Sequence, residues 1–221
     1  MCGRFTLRTP ARDLVEIFEL LREPELTPRY NIAPTQQIAT VRQAGTHREL
    51  SMMLWGLIPL WADTPEVDYS TINARGETVA KKPTFRQSFA KRRCLVVADG
   101  FYEWQKTNGR KQPFFIHMKD DRPFAFAGLW DCWKRGNQAI ESCSIIVTEA
   151  NELVRPIHDR MPVIMAHEDY ARWLDPKNQD VQALQGLLRP YPAEEMTAYP
   201  ISTLVNSPRN ESPECVVRLS A

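Results

Sequence analysis

Seventeen prolines are spread over 221 residues, and the apolar runs between them are short. Proline fixes φ and withholds an N–H, so it ends helices and is confined to the ends and edges of strands. That spacing disfavours long helices and a regular alternation of strand with helix. Segments 37–41, 50–55, 70–75, 95–97, 101–105, 114–118, 124–127, 144–148 and 163–165 have extended character. Thr9 followed by Pro10 reads as a cap and first turn, and Leu14, Val15, Phe18 and Leu21 recur at helical spacing, which predicts a helix ending near Glu23 and Pro24. Tyr170, Trp173 and Leu174, then Val181, Leu184, Leu187 and Leu188, predict two short helices bounded by Pro176 and Pro190. The expected fold is α+β, a single compact domain over residues 1–221 with a mainly antiparallel, barrel-like β core and peripheral helices. Residues 206–221, opening on a stretch rich in Ser, Pro and Asn, are expected to form a looser C-terminal segment.

A chain with 43% hydrophobic and 25% charged residues can bury a sizeable core. Its net charge of +1 provides no global basic field, so a nucleic-acid contact would have to come from a local patch. No apolar run approaches membrane-spanning length and no secretion signal opens the chain, which leads to the expectation of a cytoplasmic protein, nucleoid-associated if bacterial. The five cysteines, Cys2, Cys94, Cys132, Cys143 and Cys215, lack the spacing of a zinc or redox motif, so neither a metal nor a disulfide framework is expected. Cys94 and Cys143 lie in apolar runs and read as buried, inert thiols.

Cys2 stands apart, because removal of Met1 would put an α-amine and a thiol on one residue. The amine, with a reference pKa of about 8, condenses with an aldehyde, and the thiol can then close on the imine carbon to give a five-membered thiazolidine. The alternative is an incidental residue after the start codon. In Thr71-Ile72-Asn73-Ala74-Arg75 an extended backbone sends Asn73 and Arg75 to one face, as an amide beside a guanidinium or simply as the polar side of a half-buried strand. Glu103, in Asp99-Gly100-Phe101-Tyr102-Glu103-Trp104 after an expected Asp-Gly turn, shares a strand face with Phe101. A dry face would raise its pKa towards neutrality, whereas a surface pairing with Lys or Arg would not. Pro156 and Pro162 bracket His158, Asp159 and Arg160, restricting where His158 and Arg160 point. Trp55 and Trp61 offer rings either to splayed bases or to the core. The basic cluster of Lys81, Lys82, Arg86, Lys91, Arg92 and Arg93 carries no assigned role.

Taken together, Met1-Cys2-Gly3-Arg4-Phe5, Tyr30-Asn31-Ile32-Ala33-Pro34, Trp55-Gly56-Leu57-Ile58-Pro59, Ile72-Asn73-Ala74-Arg75, Ala98 through Trp104, Ile157 through Pro162 and Val205-Asn206 resemble the SRAP (SOS response-associated peptidase) family of abasic-site processing proteins. The resemblance spans nearly the whole chain. It implies that Cys2 crosslinks to abasic sites in single-stranded DNA, with Asn73, Glu103 and His158 as active-site companions. It also implies that Arg4, Asn31, Pro34, Trp55, Arg75 and Arg160 lie along a single-strand groove, in a protein needing no cofactor or metal and acting as a monomer. On that reading His158 assists ring opening of the sugar, Glu103 moves protons, and Asn73 fixes the amine and sugar. β-Elimination from the same imine would make the site an abasic-site lyase. A cysteine peptidase that processes its own Met1, and a non-catalytic single-stranded DNA module, are the alternatives.

Overall fold

Most of the short apolar segments form strands, and the central ones, such as residues 93–98 and 143–148, are buried on both faces. The computed structural model describes residues 2–107 and 109–219. Met1, with its expected removal, lies outside the described residues, as do Ser220 and Ala221 at the end of the 206–221 segment. In chain order the elements are β1 (Phe5–Leu7), α1 (Ala11–Phe18), β2 (Arg29–Ile32), β3 (Gln37–Ala44), β4 (His47–Trp55), β5 (Asn73–Arg75), α2 (Arg86–Lys91), β6 (Arg93–Ala98) and β7 (Gly100–Thr107). There follow β8 (Arg110–Met118), β9 (Phe124–Arg135), β10 (Gln138–Glu149), β11 (Arg160–Pro162), β12 (Ile164–Met165), α3 (Tyr170–Leu174), α4 (Val181–Gln185) and β13 (Met196–Pro200).

Strands β4, β3, β6, β9 and β10 pair in that order and close on themselves, because β10 returns to β4 through a short parallel pairing at Ser142 with Leu54 and Cys143 with Trp55. The other four pairings of this barrel are antiparallel. A second, all-antiparallel sheet runs β13-β8-β7-β1-β2. The space between them is filled by aromatic rings. Phe5 of β1 packs edge-on to Trp55 at 5.2 Å and to Phe126 at 5.8 Å, and Phe101 of β7 meets Phe126 at 6.0 Å. Edge-to-face rings of this size add packing energy beyond the area they bury. The α+β class with a barrel-like core and peripheral helices is therefore the observed one.

Several local expectations are corrected. Asp99 and Gly100 form no hairpin turn: β6 belongs to the barrel and β7 to the other sheet, and the chain passes from one to the other at this point. The buried Asp99 carboxylate accepts from Thr6 Oγ1 at 2.6 Å, Thr9 N at 2.8 Å, Thr9 Oγ1 at 3.0 Å and Arg8 Nε at 3.1 Å, and also from Arg8 N. Thr9 is thus a partner of Asp99 and not a helix cap; Pro10 stands at the cap position. Gly100 is needed there, since a Cβ would lie 2.2 Å from the Phe115 ring. Helix α1 stops at Phe18, short of Glu23, because Glu19 turns left-handed (φ 54°) and the Leu20 N–H closes back on the Val15 carbonyl at 2.9 Å. The 70–75 segment is strand only from Asn73, since Asp68 winds residues Tyr69–Thr71 into a single turn by accepting from Ser70 N and Thr71 Oγ1.

The segment from residue 206 to 219 is held down, not loose. Glu211 accepts from Arg29 Nε at 2.9 Å and Asn31 N at 2.9 Å, and from Tyr30 N, while Cys215 is buried. No helix among the described residues is long and apolar enough to cross a membrane.

Replacing Asp99 with Ala strands buried donors on β1 and the following turn, a loss of roughly 3–5 kcal/mol. Scanning calorimetry is expected to show a Tm lower by roughly 10 °C. A Tm within a degree or two of wild type would show that this carboxylate does not join the two sheets.

Candidate active site

The site lies where the start of β1 meets β5, β7 and the loop entering β11. Residues 2–4 lead into β1 beside β7, with the Tyr102 N–H donating to the Arg4 carbonyl at 3.0 Å. This places Cys2 in the hydrophobic core between the sheets. Its thiol points back to the Arg4 carbonyl at 3.8 Å, and its own carbonyl accepts from Asn73 Nδ2 at 2.9 Å. Asn73 opens β5, paired in parallel with Ile145 of β10. Its Oδ1 is buried and has no partner among the described residues, an acceptor left open beside residue 2.

Glu103 is 2% exposed on β7. Phe101, Tyr102 and Glu103 are all buried, so the strand is dry on both faces at this point, which settles the choice between a buried acid and a surface ion pair in favour of the first. Burial pushes its carboxyl up to about 7, and the nearby Asp159 carboxylate acts in the same direction. Burial also pushes the Cys2 thiol up, and the neighbouring Glu103 carboxylate adds to it. Both groups therefore hold their protons more tightly than in water.

His158 sits in the loop before β11. The loop is fixed less by its two prolines than by hydrogen bonds: His158 N to the Val154 carbonyl at 2.9 Å, Val154 N to Asn151 Oδ1 at 3.0 Å, and Gln105 Nε2 of β7 to the Pro156 carbonyl at 3.0 Å. The last bond joins this loop to the strand of Glu103. His158 Nδ1 faces both the Arg160 N–H and an Asp159 carboxylate oxygen, each at 3.0 Å. It accepts from the first only when unprotonated and donates to the second only when protonated. Burial draws the imidazole below its ordinary value, so near neutrality the bond from Arg160 N prevails and Nε2 carries the proton.

The residues expected along the groove divide in two. Arg75 is exposed at the end of β5, and Arg160 is half-buried and paired with Glu77. Pro34 is half-buried in a turn whose next residue, Thr35, has φ 68° and donates to the Trp55 carbonyl at 2.8 Å. Trp55, Asn31 and Arg4 are different. Trp55 is fully buried: its ring lies on Phe5 and its indole N–H donates to the Ile72 carbonyl at 3.0 Å, so it supports Asn73 from within and offers no face to a base. Trp61, at 64% exposure, is the outward ring of that pair. Asn31 is buried, its amide turned to the carbonyls of Val205, Ser207 and Asn210. Arg4 donates to Asn31 Oδ1 at 3.0 Å and to the carbonyls of Val205 at 2.6 Å and Asn206 at 3.3 Å. Arg4 ties the C-terminal segment to the start of β1 and Asn31 ties it to β2, an arrangement that accounts for the Val205-Asn206 motif. Asn206 also accepts from Trp104 Nε1 at 2.8 Å, one residue from Glu103. The role of Glu211 had no local signal in the sequence, since its partners lie some 180 positions away.

Concave regions of about 710 Å³, along residues 20–26 and the start of β4, and about 680 Å³, around Arg122 and Tyr191, lie elsewhere. No cluster of potential metal ligands occurs among the described residues.

Fold and site together define a mixed barrel-and-sheet protein in which the buried Cys2, Asn73 and Glu103 come together between the two layers. The family model described as SOS response associated peptidase (SRAP) matches residues 1–208. The abasic site processing protein YoqW of Bacillus subtilis is 47% identical over 222 residues, covering 98% of this chain and 99% of its own. The abasic site processing protein HMCES of Xenopus tropicalis is 35% identical, covering 79% of this chain and 58% of its own. Among solved structures, a protein from Bacteroides thetaiotaomicron superposes with a TM-score of 0.89 at 28% identity, covering 99% of this chain and 100% of that one. The chain belongs to the SRAP family.

The raised Glu103 pKa has a consequence for stability. The folded chain keeps a proton that the unfolded chain releases, so this contribution is intact below pH 4.5 and is lost as pH rises to about 7. The loss is on the order of 3 kcal/mol, at about 1.4 kcal/mol per pKa unit. Urea denaturation across this range is expected to show wild-type stability falling with pH relative to Glu103→Gln, which lacks the proton. Parallel curves for the two proteins would show that Glu103 titrates normally.

Proposed function

We propose that this protein processes abasic sites in single-stranded DNA, forming a covalent thiazolidine between Cys2 and the open-sugar aldehyde once Met1 has been removed. The observation that carries this reading is the pairing of a buried acid, held near neutral pKa, with a residue 2 whose carbonyl is fixed by Asn73. The α-amine of Cys2 attacks the C1′ aldehyde to give a carbinolamine. Glu103 donates a proton to the departing hydroxyl, water leaves, and an iminium forms. The thiol then adds to the same carbon; its proton passes to the Glu103 carboxylate, and the ring closes with net loss of one water. The neutral His158 moves a proton at the sugar ring oxygen during opening, and the open Oδ1 of Asn73 accepts from the amine. Loss of the 3′ phosphate from the iminium by β-elimination gives lyase activity from the same intermediate.

The exposed Arg75 and the half-buried Arg160 suit an extended strand crossing the surface there, and the relatives named abasic site processing proteins support the substrate class. A peptidase would require a thiolate beside an imidazolium. Here burial and Glu103 act against the thiolate, and burial acts against the imidazolium, which weighs against that reading. The protein is proposed to act as a cytoplasmic monomer in the response to DNA damage, shielding the lesion by trapping it.

Incubation with an oligonucleotide carrying one abasic site is expected to give a heat-stable band shift and the corresponding intact-mass increase. Cys2→Ala should lose the heat-stable product yet keep an imine that borohydride traps. A chain with residues ahead of Cys2 that cannot be removed should form neither, since an amide nitrogen cannot condense. Adduct formation by the blocked chain at the wild-type rate would overturn the mechanism.

A further inference from the structure

Three charged side chains meet at the end of β10. Arg75 pairs with Val147 on one edge of that strand and Arg160 with Glu149 on the other, so both arginines share one face of the sheet with Asn73, which pairs with Ile145. After Arg75 the chain is turned by Gly76, whose N–H donates to the Val147 carbonyl at 2.9 Å, and Glu77 follows. The Glu77 carboxylate takes a hydrogen-bonded ion pair from Arg160 Nη1 while remaining about half exposed. The charge of Arg75 also acts on it. Arg75 itself is exposed, and its guanidinium makes no ion pair among the described residues. A carboxylate held by one guanidinium beside a second is an anion already seated where a phosphodiester would be gripped.

We propose that Glu77 is an internal competitor for phosphate, occupying Arg160 in the free protein and swinging out to solvent when a DNA strand binds. This rests on the single-strand reading above and adds a selection rule to it. A lone phosphate gains Arg160 only by breaking an intramolecular pair with no entropic cost of association, and is excluded. A polynucleotide engages Arg75 first, and its neighbouring phosphate then competes with Glu77 at high local concentration. Glu77 thereby sets the affinity for a chain of phosphates against a single one, without touching the reacting atoms.

The test is binding of a fluorescent single-stranded oligonucleotide, with no abasic site, at fixed low salt. Glu77→Gln should bind roughly two- to fivefold more tightly than wild type, the range of an exposed ion pair. The gain should vanish in the Arg160→Ala background, and inorganic phosphate should compete measurably only against Glu77→Gln. Glu149→Gln removes a negative charge from Arg160's cross-strand neighbour, which makes no ion pair with it among the described residues, and should give a smaller gain. Unchanged or weaker binding by a folded Glu77→Gln, an equal gain in Glu149→Gln, or a gain that persists without Arg160 would each overturn the proposal. Failure of the wild-type protein to bind the oligonucleotide would remove the single-strand reading and this one with it.

Discussion

Strand β10 is the constraint on which the rest of the molecule depends. Its first half pairs with β9 and β4 and closes the barrel; its second half, beyond the reach of β4, takes β5 on one edge and β11 on the other. A single strand twelve residues long therefore both completes the core and sets the spacing of Asn73, Arg75 and Arg160. Neither β5 nor β11, at three residues each, would persist without it. Residues 143–147 are buried on both faces, so this part of the strand runs through the interior.

The second half of the site comes from the other sheet. β1 and β7 bring Cys2 and Glu103, and the Asp99 carboxylate holds both strands to the barrel. Cys2 and Glu103 thus lie at a seam between two independently hydrogen-bonded layers. Such a seam is dry, and dryness is what keeps a carboxylic acid protonated near neutrality and a thiol from ionising. Both are starting states suited to proton donation followed by thiol addition, and unsuited to a thiolate nucleophile.

Much of this was legible in the sequence where a local period carries the information. Glu103 two residues after Phe101, and Asn73 two before Arg75, give their shared faces directly from strand alternation. The inner halves of β9 and β10 were legible for the same reason, but their outer halves were not, because residues 130–135 and 138–142 mix buried and exposed positions over a partly covered surface. β1, β2 and β13 are short and take their strand character from neighbours remote in sequence. Trp55 could not be told from a surface ring, since its partner Phe5 is fifty residues away. The turn-forming pair Asp99-Gly100 misled because a change of sheet and a hairpin use the same residues. The resemblance places Arg4 and Asn31 along the strand groove, and nothing nearby in sequence reveals that their side chains bind carbonyls at 205–210.

That last clamp has a bearing on how the molecule comes into being. Arg4 and Asn31 stand at the front of the chain, and their acceptors are made almost at its end. During synthesis the leading strand can collapse against β7, but its guanidinium and amide stay bonded to water until residues 205–211 have left the ribosome. Until then neither group is held, and the single Val205 carbonyl, which accepts from both, fixes them together.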